Sequence, residues 1–162
     1  MVICQTTAGV LGFEIHPEWA PLGAARFLEL VRSNYFKDVS FYRAVPKFLA
    51  QFGISGSKAM NEKWSDMPIK DDPSIGACNC REDPMDIRVC KSPTAQGPNG
   101  SHKCGRAAGI PVKKGTLSFA GKGPDTRTSK LFIPFAASDS LGKAAWETPI
   151  GRIARQPRRL LR

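Results

Sequence analysis

No apolar stretch of the chain approaches the roughly 18–20 residues that a membrane-spanning helix requires, so no membrane partner is expected. The start, Met1-Val-Ile-Cys-Gln-Thr-Thr, has no basic end, no long apolar centre and no small-residue cleavage site. It does not read as a secretory signal, and a cytoplasmic location is the expectation. Cysteines number five, four of them (Cys78, Cys80, Cys90 and Cys104) in the middle of the chain. An odd count without an export signal argues against a disulfide framework. Acidic residues are missing from 151–162, where five arginines stand, whereas residues 1–73 balance eight basic against eight acidic side chains. Of the net charge of +10, residues 74–114 hold +4 and residues 151–162 hold +5. The basic excess is therefore local, and the rest of the chain was not built for a polyanion.

What is present suits one folded unit. The 162 residues fit a single domain, 41% are hydrophobic and 23% charged. That supplies a core and argues against disorder. Fifteen glycines and thirteen prolines favour a loop-rich, mainly β chain over a helical bundle.

Periodicity places the elements. In residues 9–16, Leu11, Phe13 and Ile15 alternate with Val10, Gly12 and Glu14, which predicts a half-buried strand. Pro17 ends it, and Pro21 opens a helix. Ala24, Phe27, Leu28 and Val31 then mark an amphipathic face that ends near Ser33-Asn34. Val39, Phe41, Arg43 and Val45 alternate, as do Phe48, Ala50, Phe52 and Ile54, which predicts two short strands around Pro46. Residues 55–73 read as polar and turn-rich with one apolar anchor, Trp64, and residues 74–114 as an irregular inserted loop. A strand is predicted from Gly115 to Gly121 and another at Leu131-Phe-Ile-Pro-Phe-Ala. Pro134 inside the latter suggests an edge strand or a bulge, because proline cannot donate to a ladder.

Two blocks carry a family resemblance. Phe41-Tyr-Arg-Ala-Val-Pro-Lys-Phe-Leu-Ala-Gln-Phe-Gly53 resembles the cyclophilin signature Phe-x-Arg-x-x-x-x-Phe-x-x-Gln-x-Gly. Gly115-Thr-Leu-Ser-Phe-Ala-Gly-x-Gly-Pro-x-Thr, continuing to Ser129-Lys-Leu-Phe-Ile, is similar to the second cyclophilin block. The lead-in Glu18-Trp-Ala-Pro-Leu-Gly-x-x-Arg-Phe-x-x-Leu-Val and the later Trp146-Glu-Thr-Pro-Ile-Gly-Arg also fit, in order, over roughly residues 8–73 and 115–153. The resemblance implies a mainly β fold with few helices, a cyclophilin-like antiparallel β-barrel. It also implies a peptidyl-prolyl cis–trans isomerase acting on proline-containing peptides and proteins in protein folding. The family usually continues through a further helix and a closing strand, in place of residues 154–162, which read as a basic tail. The barrel over 1–153 is therefore expected to keep an open edge beside its first strand.

The resemblance also implies roles. Arg43 takes the position of the catalytic arginine, and a guanidinium is a permanent, rigid donor suited to a twisted amide. Phe48, Leu49 and Phe132 match the apolar proline pocket. Gln51 matches the glutamine that hydrogen-bonds the substrate backbone, and Ala120 and Gly121 match the segment that pairs with it. Taken without the resemblance, an arginine on a strand face is ordinarily a surface cation with a packed stem, and the phenylalanines are ordinary core. No metal or cofactor is needed, because the work is differential binding of the twisted state. Lys130 stands where the family usually has glutamine, Glu147 where many members have histidine, and Ser140 where many have the tryptophan that binds cyclosporin.

Two other readings compete. Cys78, Cys80, Cys90, His102 and Cys104 would be a zinc set, but their spacing is not C-x₂-C. Arg152, Arg155, Arg158, Arg159 and Arg162 would contact phosphates, but no aromatic is interleaved, so no nucleic-acid partner is expected. A binder of proline peptides without turnover is the nearest alternative to the isomerase.

Overall fold

A computed structural model describes residues 1–72, 110–138 and 140–154. Strand β1 (Val2–Thr6) turns through Gly9, at φ +123, into β2 (Gly9–Ile15). The Thr6 hydroxyl braces this hairpin by donating to the Gly9 carbonyl at 2.7 Å. Helix α1 (Pro21–Arg32) follows, then β3 (Arg43–Val45), β4 (Leu49–Phe52) and helix α2 (Lys58–Ser65). Strands β5 (Thr116–Phe119), β6 (Leu131–Pro134) and β7 (Pro149–Ile153) complete the order, with one turn of 3₁₀ helix at Ala145–Glu147.

The strands form one seven-stranded sheet in the order β1-β2-β7-β5-β6-β4-β3, each neighbouring pair antiparallel. The sheet curls into an open half-barrel with β1 and β3 as its outer strands. Strand alternation then sorts the side chains. One face presents Phe13, Phe52, Leu117, Phe119, Leu131, Ile133 and Ile150 to the core, where Phe27 and Ala20 from the α1 segment close over them. The other face presents Arg43, Gln51, Phe132 and Ser118, which fall opposite one another across β3, β4, β6 and β5. Core and site thus lie on opposite sides of the same short strands.

Helix α1 has no capping side chain of its own. The Asp72 carboxylate supplies that role from a distance, accepting from Leu22 N at 2.6 Å and Gly23 N at 3.1 Å. Its core-facing side carries Ala24, Phe27 and Leu30. The expected helix and the β2, β3, β4, β5 and β6 strands are present, with β3 confined to three residues.

Three features differ from the expectations. Strand β1 was not foreseen, because Val2, Ile3 and Cys4 give no clean alternation and it is β2 that fixes its register. Residues 58–65 form α2 rather than a turn-rich stretch. Ser57 caps it by accepting from Met60 N, and Trp64 docks against Leu30 and Tyr35. Strand β6 is neither an edge nor bulged at Pro134: it lies between β5 and β4. Pro134 is its last residue, where a missing N–H interrupts nothing, and its carbonyl accepts from Gly115 N at 2.9 Å. The irregularity instead falls at Leu117/Ser118, where β5 meets β7. The cysteine and histidine set and Arg155, Arg158, Arg159 and Arg162 lie outside the described residues.

Candidate functional site

The β3–β4 hairpin builds the site. Pro46 fixes one turn dihedral, Lys47 takes φ +62, and Phe48 N closes the turn on the Val45 carbonyl at 3.0 Å. That register sets Arg43 directly opposite Gln51. The exposed Arg43 guanidinium donates through Nη1 to Gln51 Oε1 at 3.1 Å. This bond fixes the glutamine amide with its oxygen toward the arginine and its NH₂ group outward. It also holds a long, otherwise free cation against the sheet.

Gln51 pairs in turn with Phe132 on β6. Phe132 is 2% exposed and clusters with Leu49 and Val112. Phe48, Ala120 and Leu141 pack around them. The result is an apolar nest whose polar rim is the Arg43–Gln51 pair. Ala120 N donates to the Lys130 carbonyl at 2.9 Å, which extends the β5–β6 pairing one step past the strand ends. Gly121 lies beneath the Trp146 ring: a Cβ there would come within 2.7 Å of the indole. The absence of a side chain at 121 is what lets Trp146 close that end.

Six of the seven residues singled out from the sequence gather around one face, and the seventh, Gly121, packs against Trp146. Phe48, Leu49, Phe132 and Ala120 share one cluster, Arg43 and Gln51 form its rim, and Gly121 follows Ala120. Two members of the nest, Val112 and Leu141, were missed. Both sit in segments without periodicity, and only Gly142, at φ +76 with Val112 Cγ2 2.9 Å from where its Cβ would be, links them. Glu147 Oε2 accepts from Gly142 N at 2.8 Å, next to Leu141 of the nest. Among the described residues no group of three or more His, Cys, Asp or Glu side chains is placed to hold a metal ion. No helix among them is long and apolar enough to cross a membrane. Close to the site, burial raises the Tyr42 phenol above its ordinary value, while Arg43 opposes the shift.

An exposed arginine held at the rim of an apolar cluster, on a curled antiparallel sheet, defines a half-barrel with a polar-rimmed apolar face. Residues 1–155 match the family described as cyclophilin type peptidyl-prolyl cis-trans isomerase/CLD, and the chain belongs to that family. It is 31% identical over 157 residues to the peptidyl-prolyl isomerase cwc-27 of Neurospora crassa, covering 94% of this chain and 27% of the relative. It is 27% identical over 140 residues to a peptidyl-prolyl cis-trans isomerase-like 2 of Emericella nidulans, covering 82% of this chain and 18% of the relative. The chain thus spans under a third of the length of either. Among solved structures, a cyclophilin type isomerase of Cryptosporidium parvum superposes with TM-score 0.59 at 19% identity. That match covers 94% of this chain and 76% of the other.

Proposed function

We propose that the protein catalyses cis–trans isomerisation of X-Pro peptide bonds in protein substrates, with Arg43 as the catalytic group. The barrier to be lowered is rotation about the prolyl amide, about 18–20 kcal/mol. Twisting removes resonance, so the nitrogen gains a lone pair and becomes a better hydrogen-bond acceptor in the transition state than in either ground state. A donor aimed at that nitrogen lowers the barrier, because only interactions stronger in the transition state accelerate the reaction. The proline ring fills the nest of Phe48, Leu49, Phe132 and Leu141. Gln51 and the Ala120-Gly121 backbone hold the flanking chain, and Arg43 donates to the nitrogen. No bond is broken and no proton changes place.

The observation that carries this reading is the Arg43–Gln51 bond of 3.1 Å, on the same sheet face as buried Phe132. The Cryptosporidium parvum relative has also been crystallised in the presence of the dipeptide Ala-Pro. Proline-containing proteins are the partners this reading implies. A protease-coupled isomerisation assay tests it: Arg43→Ala should lower turnover by about 10²–10³, as loss of a transition-state donor does. Retained peptide binding with no turnover in the unsubstituted protein would instead assign a proline-binding module.

A further inference from the structure

Two cations, Arg43 and Lys130, stand beside the nest. Lys130 stands two residues before Phe132, so it shares that face of the strand. Its Cα lies 3.1 Å from where a Cβ of Gly53 would be, which sets Lys130 beside Gly53 as Phe132 sits beside Gln51. Moving along the face, one meets Leu49, then the row Arg43–Gln51–Phe132, then Lys130, which pairs with Ala120 of the nest. A proline ring in the nest turns its nitrogen toward Arg43. In the proline-nest reading the Ala120-Gly121 backbone holds the flanking chain, and Ala120 N donates to the Lys130 carbonyl at 2.9 Å, so Lys130 borders that chain. The spacing of Lys130 from Phe132 along the strand is about 6.6 Å, the length of two extended residues.

Neither Arg43 nor Lys130 forms an ion pair with a described residue. Lys130 is half-buried.

We propose that Lys130 is a specificity residue that selects substrates carrying Asp or Glu two residues before the proline. This rests on the proline-nest reading above and names the substrate class for that site. Three peptides of the form Xaa-Ala-Pro-Phe, with Glu, Gln or Lys as Xaa and blocked ends, test it by titration and by isomerisation rate. The Glu peptide should bind about two- to fivefold more tightly than the Gln peptide, the scale of one exposed ion pair. The Lys peptide should bind more weakly than either, and the gap should shrink in 0.5 M salt as the charges are screened. Lys130→Gln should abolish the Glu–Gln gap, and Lys130→Glu should invert the ranking, each with an unchanged circular dichroism spectrum. Equal binding of the three peptides, or a gap that persists in Lys130→Gln, overturns the inference while leaving the nest in place. A folded protein that binds none of the peptides overturns both.

Discussion

Arg127 and Asp72 form an ion pair at 2.7 Å with both side chains fully shielded from solvent. Asp72 also caps α1, and Arg127 donates to the Lys70 carbonyl and lies over the Phe119 ring at 5.7 Å. One contact therefore ties the loop before β6 to the start of α1 and to the segment after α2. Removing one partner strands a buried charge, which usually costs about 3–5 kcal/mol. Arg127→Ala should lower unfolding free energy on that scale in a urea titration. Asp72→Asn combined with Arg127→Met removes both members of this pair and leaves only Asp71, 3.5 Å from Arg127 Nε, without its cation, so it should cost less than Arg127→Ala alone.

Tyr35 makes a second internal tie. Its hydroxyl lies 3.1 Å from the Gly53 carbonyl, 2.8 Å from Asn61 Oδ1 and 2.9 Å from Ser129 Oγ. Tyr35→Phe keeps the ring among Leu30, Phe36 and Trp64 but leaves buried acceptors short of a donor. A loss of about 1–3 kcal/mol is expected. The Asn61→Ala variant should show a non-additive effect with Tyr35→Phe in a double-mutant cycle, because both act in one network.

The grouping of the candidate residues was legible in the sequence because their spacing matches one signature. Arg43, Phe48 and Gln51 occur at intervals that one hairpin register brings onto one face. The core alternation of β2 and the α1 face were equally plain, since Phe13 and Phe27 recur at the strand and helix periods. Helix α2 was not: Lys58-Ala-Met-Asn-Glu-Lys-Trp has one apolar anchor, and its stability comes from Trp64 docking under the Arg26 guanidinium at 5.1 Å. Nor does a sequence show that Asp72, next to a second acid, reaches back to cap a helix some 50 residues earlier. Val112 and Leu141 were hidden for the same reason. They join Phe132 through loop geometry, which leaves no period behind.

Gly121 tests the closed end of the nest. Gly121→Ala places a methyl group 2.7 Å from the Trp146 ring, closer than real contacts allow, so the ring must move. The expected result is weaker binding of X-Pro peptides with little change in overall stability, read from a peptide titration alongside thermal unfolding. Tryptophan fluorescence should shift as Trp146 becomes more exposed.

Acid sensitivity should have a local source at β2–β7. Glu14 faces Arg152 across the strands, and Arg152 Nε donates to its Oε2 at 2.7 Å. That hydrogen bond, with further help from the arginine charge, holds the Glu14 carboxyl below its ordinary range. A carboxyl whose folded value is depressed contributes stability above its unfolded value and loses it as pH falls through the folded one. Glu14→Gln should therefore lower the melting temperature at neutral pH. The difference from the unsubstituted protein should fade as pH falls below the ordinary glutamate value and through the depressed folded one, beneath which the carboxyl is protonated in both states.

The central claim is that Arg43 acts on the twisted amide while the nest holds the ring. Two-dimensional exchange NMR on an Ala-Pro peptide reads both at once, as exchange between cis and trans signals and as shifts on binding. The account predicts rapid exchange with the unsubstituted protein. With Arg43→Ala it predicts exchange slowed by about 10²–10³ and binding shifts largely kept. With Phe132→Ala it predicts loss of both. Exchange in Arg43→Ala as fast as in the unsubstituted protein would contradict it.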